Sequence, residues 1–363
     1  MIYLDANATE PLRPEARDAA FKAMEQHGNP SSVHQAGRAA RKILEEARER
    51  VALFAKADPA DVIFCGGATE ANALAIHALG SNRPILIGAT EHEAIRAATP
   101  GFITIPVHAD GGVDLEALEQ LLIAYPNALV CLMAANNETG VLHNIEIVGK
   151  LCKGAGALLH VDAAQAIGRC NQDWLGLGAA SFALSGHKFG GPPGAGALVT
   201  RPGLEIRALI KGGGQELGRR GGTQALPAIA GMAAALALPY PAETISAWRD
   251  EIEASCISQG AVVAGVGAPR LPNTTCVALP GIRAETQVIA LDMVGICVSS
   301  GSACSSGKVS SSHVLSAMGF GKLAGQAIRI SLPWNIQADA IREFQSAYAA
   351  MALRALRSSV QSA

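Results

Sequence analysis

Between residues 61 and 200 short apolar runs alternate with longer stretches of helical spacing. The runs at 62–65, 85–87, 102–107, 129–133, 158–161, 181–184 and 197–200 are bounded by glycine, proline or polar turn residues, so they predict seven buried strands. Helices are predicted at 71–79 and after residues 91, 114 and 144. Strands alternating with helices predict an α/β fold built on a mainly parallel sheet with helices on both faces. Upstream, an alanine-rich helix follows Pro14. A second helix begins after His34, with Ala36, Ala40, Ile43, Leu44, Ala47, Val51 and Phe54 forming its apolar face. That face leaves Arg38, Arg41 and Arg48 as an expected solvated side.

Past an alanine-rich helix ending near Ala237, Pro239-Tyr240-Pro241 reads as a junction, and the pattern starts afresh. Strands are expected at 261–264, 274–279, 296–299 and 327–332, with helices from Ala284 and from about Gln337. This second stretch predicts a smaller C-terminal α/β domain, in keeping with a chain of 363 residues that exceeds one typical core. Between its strands lies Ser299-Ser300-Gly301-Ser302-Ala303-Cys304-Ser305-Ser306-Gly307, whose glycines and serines predict an accessible loop.

Composition narrows the function classes. Hydrophobic residues make up 49% of the chain and charged residues 17%, a balance that suits a compact globule rather than disorder. The net charge of −2 comes without a basic run, so neither nucleic acid nor an anionic membrane is an expected partner. The opening Met1-Ile2-Tyr3-Leu4-Asp5 lacks the basic flank and apolar core of a signal peptide, and no apolar stretch is long enough to span a bilayer. A cytoplasmic protein is expected. The eight cysteines show neither a C-x-x-C pair nor zinc spacing, so no metal is expected. Cys65, Cys131, Cys276 and Cys297 sit in apolar runs and read as buried small hydrophobes.

The expected strand ends are polar in succession: Thr69, then Glu91-His92, Asn136-Asn137-Glu138, His160-Val161-Asp162 with Gln165, and Ser185-Gly186-His187-Lys188. Ligands of parallel sheets collect at the carboxyl ends of the strands, so five such connections predict one shared site. The helix start after Gly67-Ala68-Thr69 suits a phosphate. Lys188 suits imine formation with an aldehyde, and Asp162 suits protonation of a pyridine nitrogen. Together these match the needs of pyridoxal 5'-phosphate. A nucleotide reading is poorer, because no P-loop occurs and no G-x-G-x-x-G follows a strand.

Eight stretches carry a resemblance along most of the chain: Tyr3-Leu4-Asp5, Gly28-Asn29-Pro30-Ser31-Ser32, Gly67-Ala68-Thr69-Glu70, Thr90-Glu91-His92, Asn136-Asn137-Glu138-Thr139-Gly140, His160-Val161-Asp162-Ala163-Ala164-Gln165, Ser185-Gly186-His187-Lys188 and Ser299-Ser300-Gly301-Ser302-Ala303-Cys304. In these the chain resembles the cysteine desulfurases of the NifS/IscS type, within the class-V aminotransferase group of fold-type-I pyridoxal-phosphate enzymes. The resemblance implies a large cofactor-binding domain over 15–240, and a small domain formed by 1–14 and 241–363 that carries the cysteine loop. It implies that Lys188 bonds the cofactor and that His92 stacks on its ring and moves protons. Asp162 would pair with the pyridine nitrogen and Gln165 with the phenolic oxygen. Thr69, Ser185 and His187 would hold the phosphate, with Thr223 reaching across from a second subunit of a homodimer, and Ala68 would also contact the cofactor. Asn137 and Arg329 would bind the substrate L-cysteine, and Cys304 would take its sulfur as a persulfide, releasing L-alanine. The onward acceptor would be an iron–sulfur scaffold or another sulfur carrier.

The chain departs from the family pattern at three places. Ser331-Leu332-Pro333-Trp334 stands where Ser-Leu-Gly is usual, Gln215 where a histidine is usual, and Glu10 where a threonine is usual. Two alternatives are a selenocysteine lyase or another class-V aminotransferase, and a cofactor-bearing scaffold acting through protein contacts. The cysteine of the Ser-Gly-Ser-Ala-Cys loop speaks against transamination, which needs no thiol. Formation of alanine would speak against the scaffold.

Overall fold

The computed structural model describes residues 1–99, 101–170, 172–301 and 311–361. Cys304, expected to be the sulfur-accepting residue, lies outside the described residues. The strands in chain order are β1 (Ile2–Tyr3), β2 (Val62–Cys65), β3 (Ile85–Gly88), β4 (Ile103–Ile105), β5 (Leu129–Met133), β6 (Leu158–Asp162), β7 (Ser181–Ser185), β8 (Gly196–Thr200), β9 (Val262–Val263), β10 (Thr274–Ala278), β11 (Ile296–Cys297), β12 (Ser299–Ser300) and β13 (Ala327–Ser331).

Seven of them form one sheet in the order β2-β8-β7-β6-β5-β3-β4. The pairs from β7 through β4 are parallel, and β8 alone runs against its neighbours β2 and β7. This is the mainly parallel seven-stranded α/β sheet expected from the alternating pattern. Strands β5 to β8 are buried along their whole length, as a sheet covered on both faces requires. One face packs on a cluster with Leu44, Val51, Phe64, Val130 and Phe182, the other on a cluster with Leu74, Ile87, Leu129 and Leu198. Strand β4 is shorter than its apolar run because Pro106 follows it and offers no N–H to the ladder.

The consequence of this topology is directional. The ends of β2, β3, β5, β6 and β7 all open on the same edge of the sheet, and the reversed β8 begins there, its Gly196 paired with both Cys65 and Ser185. A Cβ on Gly196 would lie 2.6 Å from the backbone of Gly67, so only glycine lets these two segments approach.

A second sheet, β12-β13-β10-β9, is antiparallel throughout, while β1 pairs with β11 in parallel. Its apolar side packs on Ile245, Ile252, Phe344 and Tyr348 from the helices Ala242–Ser258 and Ala338–Gln361. Ser331 at the end of β13 accepts from Ala6 N and bridges Asp5, so the amino-terminal residues run directly past the strand that carries Arg329. Among the described residues no helix is long and apolar enough to cross a membrane.

Two side chains depart from expectation. Arg48, read as solvated, is buried on the helix Gln35–Ala55 and pairs with Glu216 through Nη1 at 2.7 Å and Nη2 at 2.9 Å. A carboxylate held in the chain's second half, which helical periodicity does not register, draws the guanidinium inward. Cys297 is half-buried, whereas Cys65, Cys131 and Cys276 are buried.

Candidate active site

The common edge of the large sheet borders a cavity of about 980 Å3. Its lining brings together ten of the expected site residues: Ala68, Thr69, His92, Asn137, Asp162, Gln165, Ser185, His187, Lys188 and Arg329. Thr223 is exposed and does not line it.

Each wall follows from local chain chemistry. Gly67 caps the helix Ala68–Leu79, whose first-turn N–H groups face an anion naturally. A Cβ on Gly67 would stand 3.4 Å from Ser185 Oγ, so the glycine leaves the space between helix start and hydroxyl open. Glu70, in the same turn, accepts from Gly66 N and from Arg220 Nε at 2.7 Å. Burial alone would raise its pKa, but the Arg220 and Gly66 hydrogen bonds hold it below the ordinary value, so it stays ionised. The pair also ties the stretch before Thr223 to the phosphate-type turn.

Lys188 ends a short helical turn after β7, and its Nζ donates to the carbonyls of Asn7 at 2.7 Å and Ala8 at 3.0 Å. His187 beside it is driven down to a pKa of about 4 by burial and by the Lys188 charge, so it is neutral at pH 7. His92 accepts from Ala94 N through Nδ1, which places the proton of a neutral ring on Nε2.

Asp162 is the floor. Oδ2 accepts from Asn72 Nδ2 at 2.7 Å, and Oδ1 accepts from Ala164 N at 3.0 Å. Asn72 in turn contacts His160 Nε2 at 2.9 Å through Oδ1, and His160 Nδ1 lies 2.8 Å from Ser181 Oγ. Because Asn72 spends its N–H on Asp162, its Oδ1 must accept, so His160 carries its proton on Nε2. Burial lowers the His160 pKa to about 4, which keeps this ring neutral and the chain of hydrogen bonds in one arrangement. Glu91 nearby is buried, and desolvation followed by the Asp162 charge raises its pKa well above the carboxylate range.

Arg329 enters from β13, buried, with Nη2 on Asp5 Oδ1 at 2.6 Å and Nη1 on Asn137 O at 3.2 Å. Its Nε is buried without a protein partner among the described residues. Asn137 is held by its loop, since Asn136 Oδ1 accepts from Glu138 N and Thr139 N, and Asn7 Nδ2 donates to Asn137 O. Ser299, two residues before Gly301, also lines the cavity and pairs with Arg329 across β12 and β13.

Sequence reading did not find Asn72, His160's role, Arg169, Glu10 or Asp5 as supports of these groups. A signal existed for two of them. Asn72 is a polar residue on the buried face of an apolar helix, and Arg169 follows Gln165 at the i+4 spacing that brings side chains together.

The donor set fits pyridoxal phosphate: a helix start and hydroxyl for the phosphate, a fixed carboxylate for the ring nitrogen, and a lysine within the same cavity. Among the described residues no group of His, Cys, Asp and Glu side chains could hold a metal ion.

Comparison with known proteins agrees. The family model described as aminotransferase class-V matches residues 2–344. A cysteine desulfurase of Cereibacter sphaeroides is 41% identical over 359 residues, covering 93% of this chain and 92% of its own. The cysteine desulfurase NifS of Azotobacter vinelandii is 36% identical, covering 87% of this chain and 84% of its own. The X-ray structure of a NifS-like protein from Rickettsia africae superimposes with a TM-score of 0.90 at 34% identity, covering 97% of this chain and 99% of its own. With that fold, that cavity and that likeness along almost its whole length, the chain belongs to the pyridoxal-phosphate-dependent class-V aminotransferase family, in its cysteine desulfurase group of the NifS/IscS type.

Proposed function

We propose that this protein is a cysteine desulfurase that converts L-cysteine to L-alanine and passes the sulfur to its own Cys304 and then to an acceptor. The observation that carries this reading is the convergence of Lys188, Asp162 and His92 with the buried Arg329 on one cavity. When bound, pyridoxal phosphate supplies an electrophilic aldehyde and an electron-accepting ring. Thr69, Ser185 and His187 would hold its phosphate, Asp162 its ring nitrogen, Gln165 its phenolic oxygen and Lys188 its aldehyde carbon, and Ala68 would also contact it. Thr223, exposed in this chain, would complete the phosphate site of a second subunit in a homodimer.

The chain's own groups then divide the work. Arg329, buried on the cavity wall, grips the substrate carboxylate, and Asn137 lines the same cavity. Asp5, which also lines the cavity, holds the guanidinium through Nη2. His92, with its proton on Nε2, carries protons to and from the substrate. The Cys304 thiolate attacks the substrate sulfur: the S–S bond forms, the C–S bond of cysteine breaks, and alanine leaves with the proton supplied. Ser299, five residues before Cys304 in the chain, lines the same cavity beside Arg329, which supports this reading.

We assign the large domain to 15–240 and the small domain to 1–14 with 241–363, a division supported by the separation of the seven-stranded sheet from the four-stranded and two-stranded sheets. The acceptor is read as an iron–sulfur scaffold or sulfur carrier in the cytoplasm, where the described cysteines, all unpaired, would stay reduced. The test is incubation of the purified, cofactor-loaded protein with cysteine. Alanine should form, mass spectrometry should place one extra sulfur on the peptide containing Cys304, and Cys304→Ser should abolish both while still binding the cofactor. Undiminished turnover in Cys304→Ser would refute the assignment of that residue; absence of alanine from the parent protein would refute the activity.

A further inference from the structure

We propose that Arg169 is a positioning residue for the cofactor: it fixes the Gln165 amide so that its N–H side faces the cavity, and Glu10 holds Arg169 in place. This rests on the reading that Gln165 hydrogen-bonds the phenolic oxygen of pyridoxal phosphate. Arg169 Nη1 donates to Gln165 Oε1 at 2.6 Å, and Nη2 donates to Glu10 Oε2 at 2.7 Å. Both charged side chains are 1% exposed. A guanidinium has no acceptor, so the amide atom it meets must be the oxygen, and the opposite amide orientation would set two N–H groups against each other. Gln165 Nε2 is thereby turned toward Asn7 O, to which it donates at 3.0 Å, the same carbonyl that accepts from Lys188 Nζ. An amide nitrogen carries two hydrogens. One goes to Asn7 O, and the second remains for a ligand oxygen beside Lys188.

Glu10 fits this role because it is the carboxylate that pairs with this guanidinium among the described residues, and because its backbone is fixed at the site. Glu10 N donates to His187 O at 2.8 Å, one residue before Lys188. Its second oxygen accepts from Trp334 N at 2.7 Å, three residues beyond the end of β13. The carboxylate thus links the lysine turn, the Gln165 amide and the strand of Arg329. A threonine, usual at this position in the family, has one short oxygen and no charge with which to do so.

The experiment is a pH titration of the visible absorption band of the cofactor-loaded protein. Asp5, Glu70, His92, Asp162, His187 and Arg329 face the same cavity and are unchanged in every variant. Gln165→Ala removes a donor to the phenolate and should raise the midpoint by about half a pH unit or more. The double variant Glu10→Gln/Arg169→Met removes both buried charges together, so neither is stranded. It should raise the midpoint by a similar amount, and combining it with Gln165→Ala should add nothing further. An unchanged midpoint in the double variant while Gln165→Ala shifts, or shifts that simply add, would make the pair merely structural and overturn the proposal. No shift in Gln165→Ala itself would overturn the proposal together with the reading beneath it. Should the double variant not fold, Arg169→Lys serves: its single ammonium goes to Glu10 and leaves Gln165 Oε1 unheld, so the midpoint should again rise, and an unchanged midpoint counts against the proposal.

Discussion

Trp334 donates its backbone N–H to Glu10 Oε1 at 2.7 Å and its indole N–H to Pro11 O at 3.0 Å. Two positions at which the chain departs from the family pattern therefore satisfy each other. Arg13 lies over the same indole, 4.7 Å from its centroid, which closes the cluster on its third side. Restoring the family residue at one position alone should be costly. Glu10→Thr leaves Arg169 buried without its carboxylate and Trp334 N without its acceptor, so a loss of about 3–5 kcal/mol is expected in denaturant unfolding. A change below about 1 kcal/mol, the range of ordinary surface substitutions, would show that the buried pair contributes little.

Much of this architecture was legible in the sequence because its causes are local. Apolar runs such as 129–133 mark strands buried on both faces, and a parallel sheet then sends the polar residues after them to one edge. That is why the sequence pattern alone joins Thr69, His92, Asp162 and Lys188 in one site. What was not legible depends on contacts distant in the chain. Arg48 looked solvated by helical spacing, but its partner Glu216 is 168 residues away. Asp5 and Arg329 are 324 residues apart, and periodicity within either segment carries no trace of the other.

The Asp5–Arg329 contact predicts how substrate binding fails. Arg329→Ala removes the carboxylate partner and leaves Asp5 facing the substrate's own negative charge, so KM for cysteine should rise roughly tenfold to a hundredfold, the worth of a charge-assisted hydrogen bond or two. The absorption of the bound cofactor should stay as in the parent. Asp5→Asn keeps the arginine but frees it to reorient, and a smaller rise of the same sign is expected. Steady-state kinetics on both variants checks this; equal KM values in Arg329→Ala and the parent would place carboxylate binding elsewhere.

Arg48 and Glu216 predict a coupling between core and loop. Glu216 has a φ of +50° and its carboxylate is held by Arg48, Gln224 and Phe64 N, so side-chain bonds keep a backbone conformation that glutamate rarely adopts. Burial would raise its pKa, but the Arg48 hydrogen bonds and charge prevail and hold it below the usual value. Arg48→Met should cost about 3–5 kcal/mol by stranding that carboxylate. Because the loop also leads to Thr223, limited proteolysis should cut near residues 215–222 faster in the variant than in the parent. Unchanged cleavage there, in a variant that has lost stability, would show that the loop is held by other contacts.

His143 predicts an acid-sensitive step in stability that can be removed by one substitution. Both ring nitrogens are buried without hydrogen-bond partners among the described residues, and burial lowers the pKa from 6.5 to about 4, against an opposing effect of Asp110. The unfolded chain therefore binds a proton at His143 at a pH where the folded chain does not. Between pH 6.5 and 4 unfolding takes up that proton, so stability falls as pH falls, by about 2 kcal/mol at pH 5 relative to neutral pH for this residue alone. Glu138 acts in the other sense. Burial raises its pKa to about 7, so its contribution is present at low pH and is lost as pH rises through 7. The slope of the parent protein mixes both, together with His160 and His187, whereas the difference between parent and His143→Leu isolates one group. The variant should lose less stability than the parent on going from pH 7 to pH 5, with parallel curves above pH 7. Curves parallel across the whole range would mean that His143 gains its proton in the folded state as readily as in the unfolded one.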